Sequence, residues 1–593
     1  MKTKIIERIT LLRKIMYREN LDAFYISGTD PHMSEYLCEH WQTRKFFTGF
    51  TGSFGEVLIT RENAGLWTDT RYFLQAEEQL AGTGIALHKL RVPEAIPVSK
   101  WLKLNIQAGG RIGVDPLSLP LATYRLFRED LDSLNIEIVF LPDAINEVWT
   151  NRPPLPQKPV FEHPEIQAGE SRQGKMQRII SEIENAGATL TIISALDDLA
   201  WTFNLRGSDV VYNPVYIGFG VVGQRCRMLF VYKAAVPEKL LLLLKGEGIL
   251  VLDYTEFYPF LKDLCDETIL VDPATLNSEA WLAINKKNRL IENTSVPALL
   301  KAVKNDIELK GFIAAMRNDG ASLVAFLFWL KENIGKIPIT EYSAGVELAK
   351  FRSGPPCYKG ESFSPIVGYA DHGAIVHLSV DETNAYELKP MGLLLFDSGG
   401  QYSTGTTDVT RTVALGPVTG QQKRDFTLVL KGMIRLSMAV FPAGTKGVHL
   451  DILARQALWE NGLNYGHGTG HGVGHFLCVH EGPASIRQEY NPQEIKPGMV
   501  FSNEPGLYRT GEYGIRTENM MVCVEKQTTE FGRFLAFETL TLCPIDTTLV
   551  VKELLSLEEL EWLNNYHQKV RNGLEPIFNG ELKDFLIKIT AAI

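Results

Sequence analysis

Apolar residues recur at helical spacing from Ile5 to Arg18 and then crowd into Asp22-Ala-Phe-Tyr-Ile-Ser, which reads as a strand. Glu56-Val-Leu-Ile-Thr and Gly65-Leu-Trp-Thr-Asp read as two more strands. The pattern restarts after the proline-rich stretch Arg152-Pro-Pro-Leu-Pro-Gln-Lys-Pro159, which reads as a linker. A second helical pattern, Gly174 to Glu184, precedes Thr189-Leu-Thr-Ile-Ile-Ser and the acidic stretch Asp197-Asp-Leu-Ala-Trp. In the first unit the counterparts are Asp30-Pro-His-Met-Ser-Glu-Tyr and the aromatic–glycine turn Phe46-Phe-Thr-Gly-Phe-Thr-Gly. Two weak internal repeats of α/β character are therefore expected. A long amphipathic helix over Asp306 to Asn333 opens a third unit, and turn-rich strands fill Gly392 to Val524. A C-terminal helix begins at the capping box Ser556-x-x-Glu559, with Leu557, Leu560, Trp562 and Leu563 as its expected buried face.

The chain has 593 residues, which implies several domains rather than a single core. A net charge of −10 and a pI near 5.8 argue against nucleic-acid binding. Seven scattered cysteines, odd in number and without a CxxC, read as reduced thiols of a cytoplasmic protein. The charged N-terminus lacks the apolar run of a signal peptide, and the most apolar stretch, Leu240 to Leu244, is too short to span a bilayer.

Candidate chemistry lies in the last third. Asp397 ends the apolar run Leu393-Leu-Leu-Phe, and Asp408 begins Val409-Thr-Arg-Thr-Val-Ala-Leu. A glycine-rich turn between them makes a hairpin that would bring both carboxylates to one end of its ladder. His467-Gly-Thr-Gly-His471-Gly-Val-Gly sets two imidazoles in a segment nearly free of side chains. Glu504 sits in Phe501-Ser-Asn-Glu-Pro-Gly and Glu518 in Gly514-Ile-Arg-Thr-Glu-Asn. Any one of these alone is most often a turn former or a solvated charge. Together, four carboxylates and one imidazole suit two hard divalent ions, which can share and activate a hydroxide at neutral pH.

Asp-x10-Asp, HGTGHGVG…VHEGP, NEPGLY and GIRTEN resemble the pita-bread metallopeptidases, and more closely the long three-domain X-prolyl aminopeptidases (aminopeptidase P). Trp67-Thr-Asp-Thr-Arg-Tyr, Tyr212-Asn-Pro-Val and Trp562-Leu-Asn-Asn-Tyr-His extend the resemblance to nearly the whole chain. It implies an α/β (α+β) architecture: creatinase-like domains over residues 1–155 and 156–305, then a pita-bread catalytic domain with a helical extension over 306–593. It also implies a metalloaminopeptidase that hydrolyses the N-terminal Xaa-Pro bond of peptides through a hydroxide shared by two metal ions. Asp397 would hold one Mn²⁺, His471 and Glu504 the other, with Asp408 and Glu518 bridging; Zn²⁺ or Co²⁺ could replace manganese in vitro. Glu504 would act as general base. His377 and His480 would bind the scissile carbonyl or the peptide, and Arg516 would assist. His467, Tyr508 and Arg516 would wall the proline pocket. The resemblance further implies a cytoplasmic homodimer acting on peptides with proline second.

His475, inside the glycine-rich motif, and His372 depart from the family's pattern, and His475 could crowd the site or add a ligand. Arg516 could equally pair with Glu518, its same-face strand neighbour. A prolidase shares the ligand set but not the doubled N-terminal half; a pita-bread protein that only binds would be expected to lack some of the five ligands.

Overall fold

The computed structural model describes residues 2–593, which fall into two compact units. The first runs to Glu165 and resumes over Glu170–Leu300; the second comprises Ile166–Gly169 and Lys301–Ile593.

The first unit contains two six-stranded sheets. One has the spatial order Ala86–Lys89, Ala64–Thr68, Glu56–Thr60, Ala23–Ile26, Arg111–Val114, Glu137–Phe140. The other has the order Leu250–Leu252, Arg227–Val231, Gly218–Gly223, Leu190–Ile193, Thr268–Val271, Arg289–Glu292. Numbered along the chain, both read 4-3-2-1-5-6, and the parallel and antiparallel pairings agree strand for strand. The weak repeat in the sequence is thus a repeat of topology. His32, from the acidic loop of the first repeat, is buried between the Ser194 carbonyl and the Tyr254 hydroxyl of the second.

The second unit carries the chemistry. Helix Asp306–Asn333 starts at Asn305, whose side chain accepts from the backbone of Ile307 and Glu308 in a capping box. A three-stranded sheet has the order Ile366–Tyr369, Leu393–Ser398, Val409–Ala414. A six-stranded sheet has the order Val440–Pro442, Gly532–Thr539, Asn519–Thr529, Val500–Asn503, Gly470–Gly472, Glu481–Ile486. The Glu518 amide donates to Thr410 O and so stitches the two sheets together (3.1 Å). Helices Gly420–Ser437, Gly447–Trp459 and Leu557–Leu574 bury Phe426, Met433, Leu458, Leu563 and Val570 in one core. Among the described residues no helix is long and apolar enough to cross a membrane, and no disulfide links the cysteines.

The C-terminal helix Leu557–Leu574, which a shorter helix Gly580–Ile589 follows, begins as its capping box predicts, but its buried face differs. Leu557 is 84% exposed, while Leu563, Tyr566, His567, Val570 and Leu574 turn inward. Leu557 occupies the first helical position, ahead of the turn that meets the core, so apolarity alone misplaces the stripe.

His567 is buried, and its Nε2 accepts from the Ile545 amide (3.1 Å). Burial, with Arg411 and Arg571 nearby, lowers its pKa from 6.5 to about 4. The folded chain binds this proton less readily than the unfolded one. The resulting stability is complete above pH 6.5 and is lost as pH falls through about 4, a span of about 3 kcal/mol. His567→Gln should flatten the decline of the urea midpoint between pH 6.5 and 4; an unchanged decline would rule the histidine out as its source.

Candidate metal centre

Each candidate ligand sits in a strand or directly beside one. Asp397 lies on Leu393–Ser398 opposite Thr410, and Asp408 immediately precedes Val409–Ala414. His471 is the middle residue of Gly470–Gly472; Glu504 follows Val500–Asn503, and Glu518 precedes Asn519–Thr529. Gly470 lies so close to the Ser502 carbonyl that a Cβ there would stand 2.1 Å from it. Glycine at this position lets the histidine strand lie against the strand leading to Glu504.

Three groups of potential ligand atoms close within 4.8 Å: Asp397, Asp408 and Glu518; His471, Glu504 and Glu518; and Asp408, His471 and His480. The first two overlap at Glu518, and Asp408 joins the first to the third. His471 Nε2 lies 3.5 Å from Asp408 Oδ2 and 3.4 Å from Glu504 Oε1.

The electrostatics describe a cage of excess negative charge. Burial holds the Glu518 carboxyl well above the usual carboxylate range, and Asp408, Glu504 and Asp397 push it further. Burial raises Asp397 as well, against the pull of Arg516. Glu504 is pushed up to about 7, chiefly by burial and against the opposing pull of His471. For His471 burial works downward, but the carboxylates of Asp408 and Glu504 win and bring it up to about 9. Its Nδ1 faces Gly472 O at 2.9 Å, so Nδ1 is the donor and Nε2 turns toward the carboxylates. Asp397 Oδ1 and Glu518 Oε1 are buried without a hydrogen-bond donor. The carboxylate oxygens and one imidazole nitrogen thus converge where positive charge is favoured, which fits a pair of divalent cations.

Arg516 does not pair with Glu518. Its NH2 donates to Asp397 Oδ2 (2.6 Å), its Nε to Thr410 Oγ1 (3.1 Å) and its NH1 to the Tyr508 hydroxyl (2.7 Å). The strand Tyr513–Arg516 ends before Glu518, so the period-two argument fails at the break. The Tyr508 hydroxyl meets His467 Nε2 at 2.8 Å, while His467 Nδ1 faces Gly468 O, so Tyr508 is the donor to Nε2. Asp397, Arg516, Tyr508 and His467 thus form one hydrogen-bonded chain. The His480 ring lies edge-on to His471, centroids 4.5 Å apart.

His377 belongs to none of these donor groups among the described residues. It follows the turn Ala370–Ala374, whose Gly373 abuts Gly514 on the strand that carries Arg516. In that turn His372 Nδ1 meets the buried Glu341 carboxylate at 2.9 Å, and its ring stacks on Tyr386. His475 belongs to none of the donor groups either; it is buried, edge-on to Phe312 of the long helix.

Sequence reasoning missed several residues that hold the site. Thr410 Oγ1 donates to Glu518 Oε2 (2.7 Å). Asp451 accepts from Thr469 and from Arg455, which also donates to the Tyr465 and His467 carbonyls and so fixes the histidine loop from behind. Asp451 and Arg455 sit four apart on one helix, a spacing readable in the sequence although their target is not.

The fold and donor set define a metal-dependent hydrolase. The model of metallopeptidase family M24 matches residues 310–525, and that of the C-terminal region of peptidase M24 matches 533–593. Models of the creatinase/prolidase N-terminal domain match residues 8–148 and 151–308. A probable Xaa-Pro aminopeptidase P of Coprinopsis cinerea is 37% identical, over 97% of this chain and 96% of its own. Human Xaa-Pro aminopeptidase 2 is 36% identical, over 96% of this chain and 85% of its own. The crystal structure of X-prolyl aminopeptidase from Caenorhabditis elegans, described as a cytosolic enzyme with a di-nuclear active site, superposes with a TM-score of 0.96 at 32% identity, covering 99% and 100% of the two chains. The chain belongs to metallopeptidase family M24, within the long Xaa-Pro aminopeptidases.

Proposed function

We propose that the chain removes the first residue from peptides whose second residue is proline, using two divalent cations. The observation that carries this reading is the pair of overlapping donor groups, joined through Asp397 and Arg516 to the Tyr508–His467 wall. Asp397 would hold one ion, His471 and Glu504 the other, and Asp408 and Glu518 both. When bound, such a pair supplies a nucleophile from water at neutral pH and polarises the scissile carbonyl.

The protein's own groups do the rest. An Xaa-Pro bond is a tertiary amide with no N–H, so its nitrogen must gain a proton as the bond breaks. Glu504, which faces His471 across the site, takes a proton on its carboxylate and passes it to the prolyl nitrogen. His480, beside His471, donates to the developing oxyanion, and His377 holds the peptide near it. His467, Tyr508 and Arg516 flank the proline ring. The acceptors among them are already engaged, the Tyr508 hydroxyl by Arg516 and His467 Nε2 by Tyr508, which suits a residue with no N–H to offer.

Manganese is the metal we favour, since four carboxylates and one imidazole prefer a hard ion. Cytoplasmic residence is supported by scattered cysteines with no disulfide among the described residues. A homodimer is suggested by the family resemblance alone. The three-domain division at 155 and 305 is supported by the two matching sheets and by the matched segments 8–148 and 151–308.

The test is product analysis by mass spectrometry after Mn²⁺ loading. An Xaa-Pro-Pro tripeptide should release its first residue, and an Xaa-Pro dipeptide should be cut much more slowly. Cleavage of the dipeptide alone would make the chain a prolidase. Metal binding without cleavage of either would leave a protein that binds but does not catalyse.

A further inference from the structure

Arg411 is 1% exposed, and among the described residues no carboxylate contacts its guanidinium. Its Nε donates to Pro544 O (2.9 Å), and its NH1 donates to the carbonyls of Thr410 (2.8 Å) and Glu518. Its NH2 faces Asn519 Oδ1 (2.7 Å), Cys543 O (2.8 Å) and the Tyr566 hydroxyl (2.8 Å). The chain positions of these partners matter. Arg411 lies three residues after Asp408 on the same strand edge, Thr410 holds the Glu518 carboxylate, and Asn519 follows Glu518. One side chain therefore ties the backbone of Glu518 to that of Thr410, two residues beyond Asp408, and so spans the segments that carry the two carboxylates shared between the donor groups.

The far side of this knot is closed by the C-terminal helix. Tyr566, on Leu557–Leu574, places its hydroxyl among Arg411 NH2, Cys543 O (2.7 Å) and Asn519 Oδ1 (3.2 Å), so it accepts from the guanidinium and donates to a carbonyl. His567, the next residue, receives the Ile545 amide on the same connecting segment. Buried hydrogen-bonded networks of this kind have few alternative arrangements, and partners behind metal ligands set ligand orientation and affinity.

We propose that Tyr566, acting through Arg411, is a positioning residue of the metal centre: the C-terminal helix fixes the separation of Asp408 and Glu518 and thereby the affinity for the cations. The inference rests on Asp408 and Glu518 being ligands common to two ions. Neither Tyr566 nor Arg411 touches metal or substrate.

The experiment is Mn²⁺ titration of chelator-stripped protein, followed by the electron paramagnetic resonance signal of free Mn²⁺. Tyr566→Phe keeps the ring and its packing but removes the hydroxyl. It should weaken Mn²⁺ binding about tenfold, the lower end of effects seen for groups behind metal ligands. In the tripeptide assay KM should stay at the wild-type value, and kcat should recover when Mn²⁺ is raised. Arg571→Ala is the comparison: Arg571 lies on the same helix but donates to Thr590 and Ile587, so it loosens the helix without entering the knot. Mn²⁺ affinity unchanged in Tyr566→Phe, or lowered no more than in Arg571→Ala, overturns the proposal. Wild-type protein that binds no Mn²⁺, or Glu518→Gln protein that still binds two ions, would instead sink the ligand assignment beneath it.

Discussion

Asp408→Asn should lower kcat/KM by at least about 10³-fold, equivalent to about 4 kcal/mol of lost transition-state stabilisation. Asp408 belongs to two of the three donor groups and, with Glu504, faces His471. Asparagine preserves shape and leaves one neutral oxygen, so it removes charge rather than packing. Stability separates this from simple damage. In the metal-free chain Asp408 raises the proton affinities of Asp397, Glu504 and Glu518, which means that it repels all three. The metal-free variant should therefore melt no lower than metal-free wild type, while failing to gain the increment that Mn²⁺ gives the wild type. A variant that retains activity would exclude a shared ligand at this position; one that melts well below metal-free wild type would point to a folding defect.

Chelation should abolish activity and lower the melting temperature of the wild-type catalytic unit by roughly 10 °C. Two ions, each at a hundred times its Kd, add about 5 kcal/mol to a folded state that alone binds them, and a unit of this size shifts by about 2–4 °C per kcal/mol. The physical source is visible in the site. Asp397 Oδ1 and Glu518 Oε1 are buried with no donor, and Arg516 and His471 are the cations facing four carboxylates. Differential scanning calorimetry with and without chelator reads the shift, and Mn²⁺ should restore both transition and activity. A chelated protein with an unchanged melting profile would mean that the cage is stable without cations.

Much of this was legible in the chain. The Ser556 capping box located the helix Leu557–Leu574, and the period of apolar residues located Asp306–Asn333 end to end. The repeated helix–strand–acidic loop pattern announced two weakly repeated α/β units, and the structure adds that their sheets share one topology. Those signals are local: a cap needs four residues, and a period needs two or three turns. The candidate ligands were singled out for a related reason, since each lies in or beside a short strand flanked by a turn, a pattern written within a few residues.

What stayed hidden involves partners far apart in sequence. Arg516 chose Asp397, 119 residues away, over its neighbour Glu518. His475, within the glycine motif, turned to Phe312 rather than to the metal centre. Arg411 and Tyr566, 155 residues apart, meet behind the ligand strands, and nothing near either position signals it.

The sequence by itself determined the donor chemistry, the helix starts, the repeat and the absence of a phosphate-binding charge. Residue type and short-range periodicity fix those directly. The tertiary structure decided which carboxylates are common to two donor groups, which arginine neutralises which acid, and which helix face is buried. Those outcomes depend on how two sheets register against each other, and that register is set by the packing of the whole core rather than by any single segment.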